Sequence, residues 1–179
     1  WQLMPQQSEV LQSWVPLLVV MALFSAFYGA LVGITRSQVK SVLAYSSVSQ
    51  MGYLLLIMAM LWHQEVAAER VAPVLALYMV HHGFCKGSLF MAAELVKQGR
   101  PPNQGLQWLL LLALALPALA IAGLPLSSGA AAKSLLKDTL PLIAPFAHLP
   151  GLLQAAALAS TLVMLRAWWL LRQMQQQAA

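Results

Sequence analysis

The sequence predicts an all-α fold: a polytopic transmembrane helical bundle with five crossings, the fourth of which is a discontinuous helix. Hydrophobic residues make up 60% of the chain and charged residues 8%, whereas soluble globular proteins carry about 25% charged residues. The mean hydropathy is +0.73, and the apolar residues form stretches long enough to cross a hydrocarbon core of ~30 Å. The composition therefore excludes an ordinary soluble domain and indicates an integral membrane protein.

Five apolar spans are predicted, separated by polar connections. The spans cover residues 14–34, 41–62, 71–96, 105–141 and 152–171. The second span carries hydroxyl residues at helical spacing, which is typical of close contacts between membrane helices. In the third connection, Pro101 and Pro102 prevent a helix from continuing. We expect residues 1–179 to form a single transmembrane domain.

The fourth span is interrupted by a segment that does not favour a helix. Gly123 and Gly129 are conformationally permissive, and Pro125 lacks the amide hydrogen that a helix interior requires. A straight helix over 105–141 would be roughly 55 Å long, against a hydrocarbon core of ~30 Å. We therefore predict one crossing built from two half-helices, the second of which begins at its positive dipole end and carries Lys133.

The basic residues predict the orientation of the chain. With five crossings, five of them gather on one side of the membrane: Arg36, Lys40, Lys97, Arg100 and Arg172. The positive-inside rule places that side in the cytoplasm, so the N-terminus is predicted outside and the C-terminus inside. If the fourth span made two full crossings instead, Arg172 would fall outside. The charge distribution favours five crossings.

Lys86 stands near the middle of the third span, where a charged side chain is costly. Insertion scales put that cost at about 2.5–3.5 kcal/mol at a helix centre. Tyr78, His82 and Glu94 follow the same face at helical spacing, which gives a polar stripe along the span. One alternative is a structural lysine paired with a carboxylate on an adjacent helix. The histidine one turn away favours a role in an ion pathway.

Lys133 follows the interruption by one helical turn, and we expect it to project into a hydrated cavity. The alternative is a lysine that reaches the membrane surface because its half-helix is short. Lys137 and Asp138 lie one turn further on, where anchoring at the interface is expected. Adjacent His81 and His82 point about 100° apart on a helix and cannot jointly chelate one ion. We expect neither a metal nor a cofactor.

Three segments resemble motifs of one known family, in the order in which the family carries them. Arg36–Tyr53 is similar to "DIKRVLAYSTVSQLGY", His82–Phe90 to "HAFFKALLF", and Gly123–Lys133 to "GPPLAGFFSKD". These motifs are typical of the antiporter-like proton-pumping subunits of respiratory complex I. Multisubunit cation/proton antiporters and membrane-bound hydrogenases share the first motif. Together the three segments span most of the chain.

The resemblance implies a fold and a set of functional residues. The family fold has about fourteen helices, with two five-helix repeats of inverted topology that each contain one discontinuous helix. This chain resembles the second repeat, so we expect it to be the C-terminal part of a longer protein. The resemblance implies that Lys86 is the central proton-carrying lysine, with His82 beside it, and that Lys133 leads protons to the exit. Lys40 matches a basic residue at the cytoplasmic start of the second helix.

Four positions depart from the family's motifs, namely Gln38, Ser41, Cys85 and Ser134. The resemblance implies a proton-translocating subunit of a redox-driven or antiporter-type complex in a bacterial-type inner membrane, with other membrane subunits as partners and no nucleic acid. Such a subunit is at most a translocase within an NADH dehydrogenase-like or hydrogenase-like complex. Alternatives are a sodium/proton antiporter, a proton-coupled inorganic-carbon uptake subunit, or a non-conducting scaffold that docks a peripheral enzyme.

Overall fold

The computed structural model describes residues 9–63, 68–99, 103–142 and 146–177. All regular structure in these ranges is helical. The six α-helices are α1 (Glu9–Thr35), α2 (Val39–Trp62), α3 (Ala68–Lys97), α4 (Gln104–Ala122), α5 (Ser128–Thr139) and α6 (Leu149–Gln177), and a short 3-10 turn, Leu140–Leu142, follows α5. The predicted all-α class is confirmed, and α1 and α6 extend beyond the predicted ends of their spans.

Four of the described helices are long and apolar enough to cross a membrane. These candidate spans are Leu11–Thr35, Val39–Trp62, Gln104–Ala122 and Leu149–Met174. The prediction of a multi-pass membrane bundle is therefore confirmed. Helix α3 is continuous and has sufficient length at 30 residues, but it is not among these apolar spans because it carries histidines and charged residues. The count of five crossings therefore stays a prediction.

Helices α1 and α2 pack closely because two glycines remove side-chain bulk from their interface. A Cβ atom added at Gly29 would lie 2.4 Å from the backbone nitrogen of Ser49, and one added at Gly52 would lie 2.5 Å from the carbonyl oxygen of Ala22. Ser49 Oγ donates a hydrogen bond of 2.7 Å to the carbonyl of Ala26. Small residues and an interhelical hydroxyl bond thus hold α2 against α1, as its hydroxyl pattern predicts.

The chain leaves the helical conformation between α4 and α5, inside the segment that the sequence marks as an interruption. Gly123 adopts a left-handed conformation with φ of 91° and ends α4, which glycine does without steric cost. Ser127 then caps α5, because its side chain accepts a hydrogen bond of 3.1 Å from the backbone nitrogen of Ala130. That α4 and α5 are two halves of one crossing remains a prediction.

Helix α2 lies at the centre of the bundle. It packs against α1, α3 and α6, and it is the most deeply buried of the four candidate spans. Its buried residues include Ser46, Ser49, Gln50 and Tyr53. Polar groups of α2 therefore occupy part of an otherwise largely apolar interior, and this part positions the candidate site.

Candidate functional site

Polar contacts between α2 and α3 occur at three successive levels. From one end to the other, the pairs are Lys40 with Glu94, Leu43 with Lys86, and Gln50 with Tyr78. Residue numbers rise on α2 as they fall on α3, so the two helices are antiparallel. The three levels give a polar line that runs from the exposed end of the interface into the interior.

Lys86 is buried in this line, and no countercharge pairs with it among the described residues. Its side chain is 6% exposed, and Nζ donates a hydrogen bond of 2.8 Å to the backbone carbonyl of Leu43. Ser47 Oγ donates to the same carbonyl at 3.2 Å. In the described ranges, the ion pair of Lys40 with Glu94 is the single one present. The alternative of a carboxylate partner for Lys86 is not found in that part of the chain.

His82 and Ser46 lie between the levels of Lys86 and Gln50. His82 is one turn from Lys86 on α3, and Ser46 is one turn from Gln50 on α2. Both residues are buried, and neither His82 Nδ1 nor Ser46 Oγ has a hydrogen-bond partner among the described residues. Buried polar atoms without protein partners are typically satisfied by internal water.

At the third level, three side chains from three helices form a hydrogen-bonded triad. Tyr78 Oη on α3 donates to Gln50 Oε1 on α2 at 2.6 Å. Gln50 Nε2 donates to Ser160 Oγ on α6 at 3.1 Å. All three residues are 1% exposed or less. The sequence singles out Tyr78. It suggests only a helix contact for Gln50 and does not single out Ser160, because the partners of both residues lie on other helices.

Lys133 lies close to the interruption and to Tyr53. Its Nζ atom donates a hydrogen bond of 2.7 Å to the carbonyl of Ile121 and lies 5.9 Å from the centre of the Tyr53 ring, within cation–π range. The side chain also contacts Gly123, where an added Cβ atom would lie 3.6 Å from Nζ. Lys133 lines a cavity of about 230 Å³ together with Ser134, Lys137 and Gln154.

His81, rather than His82, contacts the start of α5. His81 Nδ1 and Ser128 Oγ share a hydrogen bond of 2.8 Å, and a Cβ atom added at Gly129 would lie 2.9 Å from His81 Cε1. Sequence reasoning treats His81 only as a poor metal ligand and does not place it in the site. In the described part of the chain, no cluster of three or more histidine, cysteine, aspartate or glutamate residues lies together.

The structure does not bring Glu94 to Lys86, although the two share a helix. Glu94 pairs instead with Lys40 at the exposed end of the α2–α3 interface, where both side chains are about half exposed. A groove of about 520 Å³ lies at this end and is lined by Lys40, Lys97 and Gln173, among others. The polar line therefore has an open groove at one end and the Lys133 cavity near the other.

Comparison with known proteins connects this arrangement to one family. The sequence model of the family described as NADH:quinone oxidoreductase/Mrp antiporter, transmembrane, matches residues 2–171. NADH-quinone oxidoreductase subunit N of Nocardioides sp. is 32% identical over 129 residues, which are 65% of this chain and 24% of the relative. NADH-ubiquinone oxidoreductase chain 5 of Cryptococcus neoformans is 32% identical over 108 residues, 59% of this chain and 15% of the relative.

A sodium/proton antiporter is also among the relatives. One Na(+)/H(+) antiporter subunit of Bacillus subtilis is 30% identical over 88 residues, which are 46% of this chain and 11% of that protein. The chain spans about a quarter of the length, or less, of the curated relatives it matches. No solved structure gives a significant match. The chain belongs to the NADH:quinone oxidoreductase/Mrp antiporter transmembrane family.

Proposed function

We propose that this chain is the proton-conducting part of a membrane subunit in a multisubunit complex, and that Lys86, His82 and Lys133 carry the proton. The observation that carries the proposal is a pair of lysines, Lys86 buried and Lys133 partly buried, each held by a backbone carbonyl and not by a carboxylate in the described residues. Ionisable groups inside a membrane protein are rare and typically mark ion pathways. Lys40, Tyr78, Glu94 and Lys137 act as supporting residues.

The partners of the two lysines suit groups that gain and lose a proton. A carbonyl oxygen accepts a hydrogen bond from an ammonium and from a neutral amine alike. Deprotonation of Lys86 or Lys133 therefore breaks no ion pair among the described residues, whereas a lysine paired with a carboxylate would leave that charge unpaired in the interior. The lysines can alternate between charged and neutral states while the bundle keeps its contacts.

The proposed route begins at the groove beside Lys40, which the orientation rule places on the cytoplasmic side. It continues along the α2–α3 interface to Lys86 and passes His82 Nδ1 and Ser46 Oγ, which have no hydrogen-bond partner among the described residues. It then reaches Lys133 and its cavity. In this proposal α4 and α5 form one discontinuous crossing, so the chain crosses five times with its N-terminus outside. The chain then corresponds to the second inverted repeat of a longer protein.

The relatives support a driving reaction outside this chain. NADH-quinone oxidoreductase subunits suggest a redox-driven complex, in which neighbouring subunits shift the charge state of the lysines. The antiporter relative from Bacillus subtilis favours one second candidate, a subunit that exchanges sodium for protons. Both candidates use Lys86 and Lys133, and they differ in whether sodium moves.

The proposal is tested by driven proton and sodium flux in inverted membrane vesicles that contain the full-length protein and its native complex. Lys133→Met keeps the length of the side chain and removes its charge, and Asp138→Asn removes an exposed charge from the same helix as a control. We expect Lys133→Met to abolish proton movement and Asp138→Asn to retain it.

Each other outcome of this flux experiment has a defined meaning. Proton movement that requires sodium in the parent complex would favour the sodium/proton antiporter. Unchanged proton movement in Lys133→Met, with the complex assembled, would contradict the proposed route and favour the non-conducting scaffold.

A further inference from the structure

The triad of Tyr78, Gln50 and Ser160 separates the two proposed proton-carrying lysines. Gln50 follows Leu43, the partner of Lys86, by two turns of α2, a rise of about 10 Å. Tyr53, whose ring faces Lys133, follows Gln50 by three residues and stacks on Tyr78 with ring centres 5.7 Å apart. A proton moving directly between the lysines along α2 must therefore pass the level of the triad.

Every hydrogen bond of the triad has a fixed direction because its central member is an amide. The carbonyl oxygen of Gln50 only accepts, here from Tyr78 Oη, and its NH2 group only donates, here to Ser160 Oγ. Ser160 Oγ in turn donates at 3.0 Å to the backbone carbonyl of Ala156. The series of donors thus ends at a carbonyl oxygen that has no hydrogen to pass on.

An amide is a poor relay for protons. To pass one on, Gln50 would have to bind it at Oε1 and release another from Nε2. That exchange leaves the imidic acid isomer, which must revert before the next transfer. Hydroxyl groups, water, imidazole and amines exchange protons without forming an isomer of such high energy. Protons therefore do not hop readily through Gln50 for as long as the hydrogen bonds of the triad hold.

Two buried polar atoms that have no hydrogen-bond partner among the described residues lie on the Lys86 side of the triad. His82 Nδ1 and Ser46 Oγ are each one helical turn from a triad member, and both are buried. Internal water suits atoms of this kind. Within the described residues, the triad atoms are bonded to one another, so water that reaches Ser46 and His82 meets polar groups that already have partners.

We propose that Gln50 interrupts proton transfer between Lys86 and Lys133, and that a proton passes only when the Tyr78–Gln50–Ser160 contacts open to admit water. Gln50 is then a positioning residue that prevents protons from leaking between Lys86 and Lys133 while the driving reaction is idle. The inference rests on the proposed function, because it needs a proton to be moving between the two lysines.

The experiment measures the passive proton leak of liposomes that contain the full-length protein with its native subunits, after an acid pulse and with the driving reaction idle. Gln50→Glu replaces the amide by a group of the same shape, whose protonated form accepts at one oxygen and donates from the other. Gln50→Met keeps the length of the side chain and offers no relay, and its apolar end binds no water, so it keeps this level closed although both hydrogen bonds of the amide are lost. We expect a severalfold faster leak for Gln50→Glu and a leak near that of the parent for Gln50→Met.

A Gln50→Glu leak equal to that of the parent would overturn the proposal. Equal and faster leaks for Gln50→Glu and Gln50→Met would also overturn it, because they indicate that loosened packing causes the leak. If Gln50→Glu does not assemble, Tyr78→Phe removes one oxygen atom and exposes Gln50 Oε1 to water. We expect it to leak faster than the parent, and an unchanged leak would overturn the proposal. The proposed route is tested by a different measurement, the driven proton flux in Lys133→Met, so a failure of that proposal can be told apart from a failure of this one.

Discussion

The ammonium group of Lys86 and the backbone carbonyl of Leu43 are joined by a hydrogen bond of 2.8 Å across the α2–α3 interface. This contact gives a buried lysine one acceptor and no countercharge in the described residues. In the proposed five-crossing bundle, placing such a group near the centre of a membrane helix costs a few kcal/mol, about 2.5–3.5 on insertion scales. A cost of that size is retained where the group has a function, and here it lies on a polar line between a groove and a cavity.

Gly129 is predicted to be essential for the contact between α5 and α4. A Cβ atom added there would lie 1.8 Å from the carbonyl oxygen of Ala120, and a rotamer change cannot relieve the clash because both atoms are fixed to the backbone. We expect Gly129→Ala to destabilise the protein by about 3 kcal/mol or more, measured as a fall in the melting temperature of the purified complex.

Gly87→Ala is the matched control for this prediction. No atom lies within 4 Å of a Cβ atom added at Gly87, which is exposed on α3. Alanine in a helix is favoured over glycine by about 1 kcal/mol, so Gly87→Ala should leave the melting temperature unchanged or raise it. Equal melting temperatures for Gly129→Ala and the parent would show that α5 does not pack against α4 in this way.

The ion pair of Lys40 with Glu94 is predicted to contribute modestly to stability. Both side chains are about half exposed, and exposed ion pairs contribute little because water and salt screen them. We expect Lys40→Glu, which places two carboxylates side by side, to lower the melting temperature slightly, and the double reversal Lys40→Glu with Glu94→Lys to recover most of the loss. A double reversal as unstable as the sum of the single reversals in thermal unfolding would exclude the pairing.

The ring of Tyr53 is predicted to matter more for Lys133 than its hydroxyl group does. Tyr53 presents its ring to Lys133 Nζ at 5.9 Å, and its hydroxyl donates at 3.3 Å to the carbonyl of Leu153. Tyr53→Phe keeps the ring and should change driven proton flux little. Tyr53→Leu removes the cation–π contact, worth about 0.5–2 kcal/mol, and should lower the flux severalfold. Equal flux in the two variants would remove Tyr53 from the site.

Local features of the chain were predictable from the sequence. The apolar spans follow from composition and length, and the end of α4 at Gly123 follows from the backbone freedom of glycine. The burial of Lys86 and His82 follows from their place within a long apolar stretch. Each of these inferences uses residues of one helix only, which is why a single sequence suffices for them.

Contacts between helices were not predictable in the same way. Helical spacing predicts that Glu94 shares a face with Lys86, but Glu94 pairs with Lys40. The rotation and register of α2 against α3 decide which residues meet. The same holds for Ser160, which reaches Gln50 from α6 across a large separation in sequence. His81 contacts Ser128 only because the start of α5 packs beside it.

Driven proton movement in the Lys86→Met variant of the full-length protein, in its native complex in inverted vesicles, tests the central claim most directly. Methionine keeps the length and apolar body of the side chain and removes its charge, and Arg172→Met removes an exposed charge as the control. We predict that proton movement is lost in Lys86→Met and retained in Arg172→Met, with the complex assembled in both. Unchanged proton movement in an assembled Lys86→Met complex would contradict the claim and make Lys86 a structural residue.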